Sequence, residues 1–165
     1  MTMRLFILLF RDKRGVAAAE MALIIPLLTV LMLGSFETGH FFWNQHKVVK
    51  SVRDAARYAG RQKFSAYSCS DVTDTLLKPK IINLARTGQI SGGKTNVMGW
   101  IAADVTVRVS CDPSTTTGIY KGEIGGAKRV RVIAVVTYPS LFNSLGVIDS
   151  SFKVSAQAQA AVMGI

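Results

Sequence analysis

The chain contains two cysteines and two histidines, the residue types that most readily form disulfides or bind metal ions. Cys69 and Cys111 are too few for a multi-cysteine zinc cluster or a dense disulfide scaffold, which leaves one possible bridge. That bridge would close a loop of about 43 residues and stabilise the fold by roughly 4 kcal/mol in the chain-entropy model. We favour it over two unpaired buried thiols. His40 and His46 lack metal-site spacing and a neighbouring carboxylate, so we interpret them as solvated or interfacial side chains.

The sequence does not carry the motifs of an enzyme. Ser-His-Asp chemistry needs a base and an orienting acid that converge on a nucleophile, whereas both histidines fall on a predicted helix, away from the serines and aspartates of the predicted strands. The tripeptide at Gly93 lacks the upstream glycine of a phosphate-binding loop, and Gly122, Gly125 and Gly126 lack its strand-to-helix context. We therefore predict no enzymatic activity, no cofactor and no metal.

The chain is strongly basic, with 20 Lys plus Arg against 10 Asp plus Glu and a net charge of +10 over 165 residues. A basic footprint commonly indicates nucleic-acid binding. Here, however, a charge of +3 precedes an apolar run and the remaining +7 is scattered, without the aromatic and basic strand pattern of single-strand binding. We therefore predict no nucleic-acid partner.

The apolar run extends over 21 residues, from Val16 to Phe36, and contains one charged residue. At about 1.5 Å per helical residue it spans roughly the 30 Å of a hydrocarbon core, so we predict a single membrane-spanning helix. Short flanking segments rich in Lys and Arg stay in the cytoplasm. The basic cluster from Arg11 to Arg14 therefore predicts a cytoplasmic N-terminus and an extracytoplasmic chain after Phe36, where a disulfide can persist.

Glu20 interrupts the apolar run, and a carboxylate at membrane depth is costly without a partner. The sequence offers no nearby cation downstream. Upstream, Gly15 follows the basic cluster, and cleavage between Gly15 and Val16 would create a new α-amino group and make Glu20 the fifth residue. Basic residues, a glycine, four small or apolar residues, a glutamate and an apolar helix form the processing signature of type IV pilin-like precursors.

This pattern resembles the TadE-like family, the pseudopilins of the tight-adherence (Flp-type) pilus machinery. The resemblance covers both ends of the chain well and the middle poorly. The matching segments are Arg11 to Glu20, Ala22 to Leu28, Gly34 and Glu37, Asn44 to Lys50, Ala55 to Ala59, Val132 to Pro139 and Ala156 to Met163.

The resemblance implies a minor pseudopilin, a structural subunit of the bacterial inner membrane that is needed for assembly or export of the pilus. It implies that a prepilin peptidase cleaves between Gly15 and Val16, and that Glu20 serves subunit assembly. The implied partners are the inner membrane, the prepilin peptidase, the major Flp-type pilin, other minor pseudopilins and the assembly platform proteins.

Two alternatives lead to different functions. The main one is an uncleaved single-pass envelope anchor or adaptor of the secretion apparatus. The other is a secreted protein with an overlong signal peptide, which we disfavour because a signal peptide has an apolar core of about 7 to 15 residues. The first residue of the mature chain distinguishes these readings: Val16, Met1 or a residue near Phe36.

Periodicity predicts the fold that follows the membrane span. Apolar residues recur at steps of three and four from Phe41 to Ala59, which indicates that the helix continues outward as an amphipathic helix to about Phe64. The aromatic residues Phe41, Phe42 and Trp43 could form a partner-binding patch, but we predict an interfacial belt, because aromatic residues just past a membrane exit usually lie there. A short helix then carries Leu76 to Leu84, with capping residues before it, Pro79 either kinking it or marking a restart, and Gly88 at its end.

Three segments alternate with period two and predict strands around 105–111, 130–136 and 154–160. The predicted fold class is therefore α+β: a bitopic pilin-like protein with a long N-terminal membrane-spanning helix and a small domain that has a short helix and an antiparallel sheet. The predicted segments are a cytoplasmic leader (1–15), the transmembrane helix (16–36), its extracytoplasmic extension (37–66) and a small periplasmic α+β domain (67–165).

Overall fold

The computed structural model describes residues 14–143 and 151–165, with Arg14 described for its backbone only. Most of the predicted cytoplasmic leader lies outside these ranges. The described chain forms helix α1 (Arg14–Gly60), helix α2 (Leu77–Thr87) and strands β1 (Val105–Asp112), β2 (Ala127–Thr137) and β3 (Lys153–Ala161). Three short 3-10 turns lie at Phe64–Ala66, Ala102–Asp104 and Gly118–Tyr120. This is the predicted α+β fold.

Contacts within the chain divide it into two units, 1–39 and 40–165, and helix α1 contributes residues to both. In the first unit, the described residues belong to α1, which contains Pro26 and continues past it. The second unit holds the end of α1, helix α2 and the sheet. The predicted segment boundaries at 36 and 66 stay predictions.

The sheet is an antiparallel meander in the order β1-β2-β3. Strands β1 and β2 bury alternate valines and expose the residues between them, as period-two alternation requires. One row across the sheet joins Val107, Val132 and Ala158, all on the inner face. The strand predictions were therefore correct to within three residues at each end.

The amphipathic part of α1 provides the helical side of the core. The buried members of its predicted stripe are Val48, Val52, Ala55, Ala56 and Ala59. They belong to one cluster with the inward valines of the sheet and with Ile81 and Ala85 of α2. Each valine that leaves water contributes roughly 1.5 kcal/mol or more, so this helix-on-sheet contact stabilises the second unit.

Close packing marks the end of α1. A Cβ placed on Gly60 would lie 2.8 Å from the carbonyl oxygen of Ala161 and 2.9 Å from the Cβ of Ala160. The Gly60 carbonyl accepts a hydrogen bond of 2.7 Å from the backbone N–H of Met163. The buried Tyr67 hydroxyl donates to the Ala59 carbonyl at 2.7 Å. These bonds satisfy carbonyl groups that a helix end otherwise leaves without partners.

Helix α2 begins and ends by local chemistry. The Asp74 carboxylate accepts hydrogen bonds from the backbone N–H groups of Leu76 and Leu77, and Gly88 closes the helix with φ 75°, a conformation that favours glycine. Pro79 lies in the first turn, where a backbone N–H has no intrahelical acceptor. It therefore neither kinks the helix nor restarts it.

Cys69 and Cys111 form a disulfide in the structure. The bond links the segment after α1 to the C-terminal end of β1, across 42 positions of sequence. Gly125 lies against the two sulfurs with φ 83°, and a side chain there would collide with them. The loop that joins β1 to β2 is thus shaped around the bridge.

We expect Gly60→Ala to lower the free energy of unfolding by about 1–3 kcal/mol, because the added methyl group meets backbone that cannot yield. Denaturant unfolding of the full chain in detergent measures this. Gly39→Ala is the matched control, since Gly39 lies in the same helix and a Cβ there meets no described atom within 4 Å. An equal loss of stability in both variants would contradict the packing account.

Tyr67→Phe should cost about 1 kcal/mol at neutral pH, because it removes a buried hydrogen bond. Burial raises the pKa of Tyr67 in the folded chain, and the nearby charges of Tyr58 and Asp74 act in the same direction. The fold therefore loses stability as pH rises above the unfolded-state pKa of about 10. Unfolding measured between pH 7 and pH 11 should show a shallower alkaline decline in Tyr67→Phe than in the wild type.

Replacing both Cys69 and Cys111 by serine should lower stability by roughly 4 kcal/mol. The comparison is made between the oxidised wild type, the reduced wild type and the double variant in the same detergent. Mass spectrometry of alkylated, non-reduced protein taken from the envelope should find no free thiol. Two alkylated cysteines in that sample would refute the bridge in the native compartment.

Candidate membrane and assembly surface

The first part of α1 is an apolar helix that the rest of the described chain leaves uncovered. Every side chain described from Gly15 to Met32 is exposed, including Leu23 at 78%. Within the described residues, α1 is the one helix long and apolar enough to cross a membrane, with a mean hydropathy of 2.3 in its best window and none of that window buried. A core helix of a soluble protein would instead be covered. The surface of residues 15–32 therefore requires lipid or other apolar helices around it.

The predicted processing residues lie at the start of this helix. Gly15 and Val16 belong to its first turn, and Glu20 is exposed one turn after Val16, at a spacing that puts both residues on one face. A Cβ on Gly15 would meet no described atom within 4 Å. The described fold therefore gives no steric reason for a glycine at this position, although glycine costs about 1 kcal/mol relative to alanine inside a helix.

The aromatic residues past the apolar segment divide between solvent and core. Phe42 and Trp43 are 56% and 61% exposed, as an interfacial belt needs. Phe41 instead packs against the core and meets the Tyr138 ring edge-on at 5.2 Å, so its assignment to the belt was wrong. Phe41 lies seven residues, or about two helical turns, before Val48 and therefore on the same face of α1, which is the feature that decides its burial.

The two histidines also differ. His46 is exposed, in agreement with its interpretation as a solvated side chain. His40 is half-buried, and its Nδ1 lies 3.1 Å from the Tyr138 hydroxyl, while the buried Asn44 side chain contacts the same ring. His40 is therefore a packing residue. Among the described residues, no group of three or more His, Cys, Asp or Glu side chains could hold a metal ion.

Lys128 is an internal charge that the sequence analysis missed. It is 6% exposed, and its ammonium donates to the Glu123 carboxylate at 2.9 Å and to the Phe64 carbonyl at 3.2 Å. It also lies 5.8 Å from the centre of the Phe64 ring. Lys128 has the same parity as the buried Val130 and Val132, so strand alternation could have predicted that it points inward. These contacts join the β1–β2 loop to the turn after α1.

A family model described as TadE-like protein matches residues 15–57, which is nearly the whole of α1. Comparisons with curated proteins and with solved structures find no match. The matched segment contains both the uncovered apolar surface and the stripe that packs on the sheet. Over the length of α1, the chain therefore matches the TadE-like family, as its sequence indicated, and this family points to involvement in the tight-adherence pilus system.

Proposed function

We propose that this chain is a minor pseudopilin, a structural subunit needed for assembly or export of a tight-adherence (Flp-type IV) pilus. In this proposal, α1 anchors the chain in the bacterial inner membrane as a single pass, with the N-terminus in the cytoplasm and the sheet-containing unit in the periplasm. The observation that carries the proposal is the uncovered apolar helix, matched to the TadE-like family and preceded in sequence by a basic cluster and Gly15.

The lateral surface of α1 supports a role as an assembling subunit. Its exposed side chains between Val16 and Met32 are apolar or small, apart from Thr29 and Glu20. The Thr29 hydroxyl donates a hydrogen bond to the Ile25 carbonyl of its own helix at 2.8 Å, so its donor needs no partner outside the helix. Glu20 is then the one ionisable group on this stretch, and an intramembrane carboxylate is expected to have a specific partner.

Processing would supply that partner. Removal of residues 1–15 by a prepilin peptidase would leave an α-amino group on Val16, one helical turn from the Glu20 carboxylate. Pairing two charges in a medium of low dielectric offsets a desolvation cost that each would bear alone. The amine could belong to the same chain or to a neighbouring pilin. An ion pair between chains would favour assembly with the major Flp-type pilin and other minor pseudopilins on the assembly platform.

The position of the scissile bond is compatible with cleavage. The Gly15–Val16 peptide lies at the N-terminal end of the described part of α1. Glycine lowers the cost of unwinding the helix there. A peptidase that needs an extended substrate could therefore open this end without disturbing the rest of the helix.

One observation favours a second candidate, the uncleaved envelope anchor or adaptor. The Gly15–Val16 peptide lies within α1, which the structure describes from Arg14 onward, so the scissile bond is in regular helix. A chain that kept its basic leader would be held at the cytoplasmic face by those charges. This candidate shares the membrane topology of the first and differs in the fate of residues 1–15.

The topology makes a direct prediction. A reporter that folds only outside the cytoplasm, fused after Ile165, should be active, and a reporter that works only in the cytoplasm should be silent at the same position. The reason is that the basic cluster precedes the only described helix that could span a membrane. The opposite pattern would refute the proposed orientation.

Gly15→Ala should leave full-length precursor in the membrane, because a peptidase that acts at this bond needs a residue without a side chain there. Immunoblotting of membranes measures the ratio of precursor to mature chain. Gly34→Ala is the matched control, since Gly34 is also a glycine of α1 where a Cβ meets no described atom within 4 Å. Normal processing of the Gly15 variant would remove the support for cleavage at this site.

Glu20→Ala and Glu20→Gln should still be cleaved and inserted but should be incorporated into the pilus complex at least tenfold less than the wild type. Glu20→Asp should retain part of the incorporation because it keeps the charge. Co-purification with the other pilins, normalised to membrane content, is the measurement. Normal incorporation of Glu20→Ala would show that the carboxylate does not serve assembly.

A further inference from the structure

Strand β3 forms one edge of the sheet, and its backbone is paired on one side only. The Val162 N–H donates to the Lys128 carbonyl and the Tyr138 N–H donates to the Phe152 carbonyl, each at 2.9 Å. In an antiparallel pair of strands, hydrogen-bonded pairs alternate with pairs that are not hydrogen-bonded. Given the register between β2 and β3, the even-numbered residues of β3 therefore exchange hydrogen bonds with β2. The N–H and C=O groups of the odd-numbered residues therefore point away from the sheet.

Helix α1 hydrogen-bonds to this edge at one end, lies against it at the other end and leaves the middle open. The Gln45 side chain donates to the Ser155 carbonyl at 3.1 Å, and Gly60 lies against Ala161. Between these points, no described residue donates to or accepts from the outward backbone groups of Gln157 and Gln159. Two adjoining hollows of about 300 and 310 Å³, which share Gln157, run along the strand here.

The open middle of the edge lacks the features that commonly prevent strand addition. Natural edge strands are protected by charged residues, prolines, bulges or a covering helix, and α1 lies on this edge only at Ser155 and Ala161. Residues 154–161 read VSAQAQAA, without a charge or a proline, and their pairing with β2 runs without a bulge over nine positions. The inward alanines of this strand, Ala156, Ala158 and Ala160, are only half-buried, so an added strand would also extend the apolar face.

The charges beside the edge indicate what would bind. Arg131 reaches across β3, where its Nη2 lies 3.4 Å from the Gln159 Oε1. Its direct cross-strand neighbour on β1 is Arg108, a like charge that disfavours the pair. Arg129 has the Asp112 carboxylate at 2.9 Å, whereas Arg131 has no carboxylate within 4 Å among the described residues. A carboxylate on an added strand beside Gln159 would supply the missing counter-charge.

A second copy of this chain does not fit that requirement. From residue 40 onward the sequence has 16 basic and 7 acidic residues, a net charge of +9. Strand β3 itself has a lysine at its start and no acidic residue. Pairing two such edges would add like charge to like charge without supplying a carboxylate.

We propose that β3 is a docking edge for an extended segment of a different protein, which adds as a fourth strand and carries an acidic side chain to Arg131. The backbone groups of Gln157 and Gln159 would bind its main chain, and Arg131 would select for the carboxylate. This inference is independent of the pseudopilin proposal, because it rests on the sheet alone.

The test places a photoreactive benzoylphenylalanine at position 157 of the full-length chain, in the cells that produce it. Thr106 is the matched control position, because it is exposed on the same face and in the same cross-strand row, at the opposite edge. Adducts are quantified after irradiation, and the crosslinked peptide is sequenced by mass spectrometry. We expect one major adduct from position 157, to an acidic segment of another protein, and none to that segment from position 106.

Variants then test the geometry of the adduct. Gln159→Pro removes an outward N–H without breaking a bond to β2, so it should lower the adduct about tenfold, while Gln159→Ala should change it less than twofold. Arg131→Glu should lower it by a similar factor, and Arg131→Lys should retain most of it. Circular dichroism of each purified variant confirms that the sheet is intact.

Four results would overturn the proposal. They are an adduct to a second copy of this chain, an adduct to a segment without acidic residues, the same adduct in equal yield from position 106, and an adduct yield that Gln159→Pro leaves unchanged in a folded chain. The absence of any adduct from position 157 in the cells that produce the chain would count equally against it.

Discussion

The apolar surface of helix α1 is the constraint on which the rest of the structure depends. Its first part is apolar on every side and lies uncovered, whereas its second part is apolar along one stripe, which the sheet buries. Water is a poor solvent for the first surface, so that part of the chain requires lipid or other apolar helices. The second surface can be satisfied within the chain, and the sheet, α2 and the disulfide are arranged around it. One helix thus has a segment for a membrane or an assembly and a segment for a folded unit.

Small residues make the intramolecular part possible. Ala55, Ala56, Ala59 and Gly60 let the helix approach the alanines of β3 closely, and the tightest contact is the one at Gly60. Polar bonds then fix the end of the helix: Tyr67 to Ala59, Met163 to Gly60, and Lys128 to the Phe64 turn. The alanines of β3 that face the helix remain half-buried, so β3 both contacts the helix and forms an edge of the sheet.

Much of this fold follows from sequence patterns with a clear physical period. The 21-residue apolar run, the stripe from Phe41 to Ala59 and the alternation of the three strands each predicted an element that the structure contains. Long-range contacts were beyond such patterns. The position of Phe41 against Tyr138 depends on a residue 97 positions later, and the Lys128 ion pair depends on how the loop folds back. The proposed site residues Gly15, Val16 and Glu20 rest on their spacing and on the family resemblance, because the chemistry proposed for them involves a peptidase and other subunits and so leaves no contact within the chain.

The most direct test of the account is the first residue of the wild-type chain purified from membranes of cells that assemble the pilus. N-terminal sequencing, with intact mass as a second readout, should find a chain that begins at Val16, because the account requires a free amine one turn before Glu20. A chain that begins at Met1 would contradict processing and favour the uncleaved anchor. A chain that begins near Phe36 would contradict membrane anchorage by α1 altogether.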